Sequence, residues 1–153
     1  MHLSGSATAQ QRISIVLHRG EELCSALAAH VERLGLGGAA LIAAAGSYSD
    51  VAYSLPALCD DDSVTYAEVR RASGLFSIVS LSGHFGRDDE GGIHHHLHTA
   101  FAQEDGVVVG GHLFSGTVLA TAEITLVAGS RWHAVLGPRV EDEQAWMLAP
   151  LEA

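Results

Sequence analysis

Residues 93–112 read Ile93-His94-His95-His96-Leu97-His98-Thr99-Ala100-Phe101-Ala102-Gln103-Glu104-Asp105-Gly106-Val107-Val108-Val109-Gly110-Gly111-His112. The stretch predicts two strands around a short acidic turn, because alternating apolar runs flank a Glu-Asp-Gly sequence of hairpin type. Alternate residues of a strand face one side, so His94, His96 and His98 share a face while His95 and Leu97 point the other way. Residues two apart have Cα atoms about 6.6 Å apart. Two imidazoles at that spacing can converge on one ion through bonds of about 2.0–2.1 Å. His94 and His98 are about 13 Å apart by the same arithmetic and do not easily share one tetrahedral centre.

A third ligand has to come from the neighbouring strand, and His112 is the candidate. If the turn has three residues centred on Asp105, His98 stands opposite His112, and directly opposed residues point to the same side. If the turn has two residues, Asp105 and Gly106, the register slips by one. His112 then faces Thr99 and leaves the site unless a bulge restores it. In the first register His96, His98 and His112 form a divalent-metal site. Zinc is the default for imidazole ligands, with nickel, cobalt, iron and copper also compatible. In the second register the segment is a histidine-rich strand edge without an ion. The chain has 10 histidines, and this run lies inside a strand pattern, so it belongs to the fold and is not a tag.

Working outward, residues 12–18 alternate Ile13, Ile15 and Leu17 and predict a strand. Glu21 and Glu22 open a helix, where acidic groups suit the positive end of the dipole. Leu23, Leu27, Val31 and Leu34 give that helix an apolar stripe, and Gly35 ends it. Residues 38–45 predict a buried strand broken at Gly46-Ser47. Residues 50–58 and 64–72 predict an antiparallel pair around Asp60-Asp61-Asp62. Residues 75–81 are a further strand, followed by a polar loop over 82–92. Residues 107–113 and 118–127 read as two strands joined by a Ser115-Gly116 turn, and strands near 131–136 and 146–151 complete the chain. The expectation is an α+β fold: a mostly antiparallel sheet of about eight strands with one main helix packed on it. Residues 1–11 are expected to be a flexible tail and 12–153 a single domain.

Composition narrows the function. The 153 residues are 48% hydrophobic, which supports a packed core. Against 18 acidic residues stand 8 basic ones, a formal charge of −10, and the nearest thing to a basic cluster is Arg70-Arg71. Phosphate backbones and anionic membranes are met by clustered Lys and Arg, so a nucleic-acid or membrane partner is disfavoured. Cys24 and Cys59 form neither a Cys-x-x-Cys nor a disulfide framework, which suits a reducing compartment. No segment reads as a signal peptide, and the apolar run 39–45 is too short to span a bilayer. The expected location is the cytoplasm.

Several motifs occur in a fixed order: Ser80-Leu81-Ser82-Gly83, His96-Leu97-His98, Glu104-Asp105-Gly106, Val109-Gly110-Gly111-His112 and Ala120-Thr121-Ala122-Glu123. In order and spacing they resemble the plant and prokaryote conserved domain, called PPC or PCC, over about residues 12–127. The resemblance implies a fold similar to acetolactate decarboxylase, a zinc enzyme with a three-histidine site, and assembly as a homotrimer. Plant members carry AT-hook segments that bind DNA, and this chain has no Arg-Gly-Arg-Pro hook. Three functions follow as expectations: a metal-dependent enzyme acting on a small molecule, a lyase or hydrolase; a non-catalytic oligomeric scaffold; or a DNA-associated regulator. For the enzyme, acid–base or anion-binding groups are needed, and Glu123, Glu68, Arg70 and His84 are the candidates. Glu123 is the carboxylate of the last motif. A Ser115-Gly116 turn would set it opposite residue 108, about 13 Å along the strand from His112.

Overall fold

The longest strand, β7 (Val108–Gly129), organises the molecule. The computed structural model describes residues 11–61, 64–129, 132–136 and 146–150. The tail expected up to residue 11 falls, except for Gln11, outside these residues. The elements are β1 (Gln11–His18), α1 (Leu23–Arg33), β2 (Gly38–Ser54), β3 (Pro56–Leu58), β4 (Val64–Tyr66), β5 (Arg70–Arg87), β6 (Ile93–Ala102), β7, β8 (Trp132–Leu136) and β9 (Trp146–Pro150). The main sheet has the order β1-β7-β2-β5-β6, and β6 also pairs with the start of β7. Strands β7, β2, β5 and β6 therefore close a ring, and β1 lies beside the far half of β7. All of these pairings are antiparallel. Among the described residues the fold is mostly antiparallel sheet with one short helix, the expected class, but the main sheet holds five strands and two further pairs stand outside it, where one sheet of about eight was expected.

Three segmentations differ from the sequence expectation, and glycine is the reason in each. Gly46 does not break a strand, and β2 runs through it to Ser54. A Cβ at Gly46 would overlap the Thr121 carbonyl oxygen of β7, so the glycine serves close strand approach. The loop expected over 82–92 shrinks to 88–92, because β5 continues to Arg87. Gly83 permits this, since a Cβ there would overlap the His96 carbonyl oxygen. Ser115 and Gly116 form no hairpin. β7 is continuous, with a register shift opposite Ala52 and Tyr53, and a Cβ at Gly116 would press on the Tyr48 ring.

Helix α1 buries Leu23, Leu27 and Val31 completely, the stripe expected from the sequence. Leu34 lies past the last turn and is 46% exposed. Gly35 at φ +63 reverses the chain there. At the other end Glu22 is the N-cap, and its carboxylate accepts from the backbone N–H groups of Cys24, Ser25 and Gly116. One side chain thus caps the helix and ties it to β7. Burial opposes ionisation of Glu22, but the hydrogen bonds outweigh it and its pKa lies below the usual 4.5. A folded-state pKa below the unfolded one means that this stabilisation is complete above about pH 4.5 and fades as pH falls through the folded value. Glu22→Ala is expected to lower unfolding free energy by about 1 kcal/mol near neutral pH, measured by urea titration. The same deficit at low pH as at neutral pH would contradict an ionised cap.

The core lies inside the ring of strands and beneath α1. Tyr48, Phe85, Leu97, Phe101 and Leu113 are fully buried there. Leu97, Thr99 and Phe101 face inward along β6, so His96 and His98 face outward.

Candidate metal centre

The β6–β7 hairpin takes the three-residue register. Gln103 N–H donates to Val107 O, and Gly106 adopts φ +82 as the left-handed turn residue. Asp105 holds the turn by accepting from Val107 N–H at 3.0 Å. His98 therefore pairs with His112, and Thr99 with Gly111. The paired glycines before His112 have separate duties. A Cβ at Gly110 would overlap the Thr99 carbonyl oxygen of β6, and one at Gly111 would overlap the Ser54 carbonyl oxygen of β2. β7 is thus gripped closely from both sides just where it presents His112. Gly111→Ala is expected to destabilise the protein by about 1–3 kcal/mol through backbone overlap and to reduce metal affinity as well, read by thermal melting and zinc titration. Wild-type behaviour in both would show that β2 and β7 have room to part.

His96, His98 and His112 come together on the outer face. One ligand atom from each lies within 4.8 Å of the others. His96 Nε2 and His98 Nε2 are 2.9 Å apart. Tetrahedral coordination with bonds of about 2.0–2.1 Å requires donor atoms about 3.4 Å apart, a spacing that falls between the 2.9 Å of this pair and the 4.8 Å limit of the trio. His98 is exposed, and His96 and His112 are half-buried. Burial, together with the His96 and His98 charges, pushes the His112 pKa down to about 4. Burial also lowers that of His98. Neutral imidazoles are the form that ligates metal, so the donor set fits a divalent ion.

The neighbours divide by strand parity. His84 stands opposite His96 across β5 and β6, with ring centroids 5.6 Å apart, and it is part of a strand and not of a loop. His94 shares the outer face, and its Nε2 meets Asp88 Oδ2 at 2.6 Å. His95 turns inward against Phe85. Glu123 pairs with Val16 and Ala45 on the far half of β7, not with residue 108, because the Ser115-Gly116 turn does not form. Arg70 is exposed at the start of β5, opposite Tyr53 of β2. Glu68 is exposed between β4 and β5.

Two residues that the sequence does not single out border the trio. Tyr66 Oη lies 3.3 Å from His112 Nδ1, with ring centroids 4.8 Å apart. Phe114 packs its ring on His112 at 4.8 Å and meets Tyr66 edge-on at 6.3 Å. Phe114 is accessible to parity, standing two residues beyond His112. Tyr66 is not, because it arrives on the separate β3–β4 hairpin, whose base is pinned by Ser54 Oγ donating to Ala67 O at 2.5 Å.

The sequence profile of the Plants and Prokaryotes Conserved (PCC) domain matches residues 4–130. This chain belongs to the PCC family. Among solved structures, the PCC chain is similar to a plant- and prokaryote-conserved protein from Pyrococcus horikoshii, at 20% identity and TM-score 0.76, over 98% of this chain and 100% of that one. It is similar to a protein from Archaeoglobus fulgidus described as metal-containing, at 21% identity and TM-score 0.75, over 96% and 99% of the two chains. A protein from Ralstonia eutropha, provisionally described as DNA-binding, matches at 19% identity and TM-score 0.70, over 89% of each. At these identities the likeness concerns the PCC fold. No curated protein matches the chain. Among the described residues, no helix is long and apolar enough to cross a membrane.

Proposed function

We propose that this PCC-domain protein binds a divalent metal ion, zinc by preference, through His96, His98 and His112. The observation that carries the reading is the convergence of three imidazoles from two paired strands, with ligand atoms within 4.8 Å of one another. The Archaeoglobus fulgidus protein described as metal-containing is consistent with it. Three imidazoles leave a fourth coordination position open to solvent or a small molecule, which is the arrangement of catalytic zinc and not of closed structural zinc. A zinc ion there would supply Lewis acidity and an acidified bound water. The imidazoles would hold it on the outer face of β6 and β7, where His84 borders His96 and Tyr66 borders His112.

We further read the protein as self-associating, a homotrimer in keeping with the family resemblance. Val16, Ile42, Val79 and Val108, each between 51% and 56% exposed, line the strands and support this reading. Sedimentation gives the mass. The formal charge of −10 works against a DNA partner, and a gel shift at physiological salt would reverse that judgement.

The test of the metal reading is metal analysis of protein purified without metal resin or added ions, with His98→Ala beside it. Equal substoichiometric metal in both proteins defeats it. A pH dependence also follows. In the metal-free protein His112 keeps a pKa of about 4 against 6.5 when unfolded. The unfolded chain binds the extra proton first, so stability is full above pH 6.5 and declines as pH falls towards 4. His112→Gln is expected to flatten that part of the stability–pH curve, followed by denaturant titration across the range.

A further inference from the structure

The β3–β4 hairpin is an excursion from the sheet, leaving β2 at Ser54 and rejoining at β5. It brings Tyr66 to the histidine cluster, where the hydroxyl meets His112 Nδ1 and the ring lies against the imidazole. The hairpin is not free to wander. Ser54 is fully buried, its hydroxyl donates to Ala67 O, and Ala67 N–H donates to Leu55 O at 2.8 Å. Ser54 itself pairs with His112 in the β2–β7 register. The residue that presents the imidazole and the residue that anchors the hairpin are therefore cross-strand partners.

We infer that Tyr66 is a positioning residue for the metal centre, its hydroxyl oxygen accepting the Nδ1–H of His112 and so directing Nε2 to the ion. The inference rests on the metal reading proposed above and extends it to the β3–β4 hairpin. A neutral imidazole has one N–H and one lone pair, so a hydrogen bond from Nδ1–H leaves the lone pair on Nε2. Metal-binding histidines are held in this way by a partner on the second nitrogen, which fixes both tautomer and ring orientation. The opposite tautomer would have the phenol donate to Nδ1 and would leave a proton on Nε2, where no ion can bind. Phe114 completes the arrangement by packing against the same imidazole and meeting the Tyr66 ring edge-on, so that two mutually touching rings restrict its rotation. A histidine in the β6–β7 hairpin is thereby held in orientation by a different part of the chain.

Tyr66→Phe is the test, because it removes the oxygen and keeps the ring packing. Two measurements on wild type and variant decide it. The first is zinc affinity by competition with a chromophoric chelator. The second is the His112 tautomer in metal-free protein, from long-range proton–nitrogen NMR. The inference expects Nδ1–H in wild type, a mixed or reversed tautomer in Tyr66→Phe, and zinc binding weakened on the order of 10-fold. Equal zinc affinity and an unchanged tautomer in Tyr66→Phe overturn the inference while wild-type zinc binding keeps the metal reading intact. Nε2–H in wild type overturns it too, whatever the affinities. Failure of wild type to bind zinc better than His98→Ala overturns the metal reading, and with it the assigned role of Tyr66. A loss in Tyr66→Phe caused by general loosening is recognised by a melting temperature that falls with it, and that result also counts against positioning.

Discussion

His98→Ala is expected to lower zinc affinity by more than about 100-fold, beyond the range of about 10–100-fold usual for groups that only support a ligand. His98 is the hinge of the trio. It shares the outer face of β6 with His96 and stands directly opposite His112 on β7. Without it, the remaining imidazoles belong to different strands in diagonal positions, and two neutral nitrogens hold an ion poorly against water. The folded structure should persist, because the His98 side chain is exposed and projects away from the core. His94→Ala is the matched control: it removes a histidine from the same face whose Nε2 is engaged by Asp88. Wild-type zinc affinity is expected to survive in that variant. Similar losses in both would mean that the face binds metal diffusely and contains no defined trio.

Phe101→Ala is expected to cost about 3–5 kcal/mol, the range for truncating a fully buried aromatic ring. In a protein of this size that corresponds to a melting temperature lowered by about 6–20 °C. Phe101 is fully buried. It stands edge-on to Tyr48 at 6.3 Å and Tyr53 at 5.4 Å, and Phe76 lies tilted at 5.1 Å. These rings come from β2 and β5, so Phe101 ties β6 to the strands that close the ring of the sheet. Truncation leaves a cavity that rigid strands cannot collapse around, which adds to the lost burial. Because Phe101 and His98 are on one strand, zinc affinity should fall alongside stability. Phe101→Leu should recover part of both. A loss below about 1 kcal/mol would mean that the interior repacks freely around the gap.

Much of the candidate metal centre is legible in the amino-acid sequence, because strand parity is a local property. The grouping of His94, His96 and His98 on one face, and the exclusion of His95, follow from alternation alone. The stripe of Leu23, Leu27 and Val31 is legible for the same reason, with helical spacing in place of alternation. The turn is half-legible. Glu104-Asp105-Gly106 admits two registers, and the choice between them falls to Gly106 at φ +82 and the Asp105 carboxylate on Val107 N–H.

What the chain determined by itself was the α+β class, the helix, and the pair His96 and His98 with His112 within reach in one register. Tertiary structure decided the rest. A glycine without a Cβ carries the same local signal whether it turns the chain or lets a neighbouring backbone approach. Gly46, Gly83 and Gly116 read as breaks, and only the presence of β7, β6 and the Tyr48 ring made them points of contact inside continuous strands. That continuity moved Glu123 to the far half of β7 and set His84 opposite His96. Tyr66 depended most on tertiary structure. Its place beside His112 comes from a hairpin folded back across a separation of 46 positions, and no periodicity reaches that far along the chain.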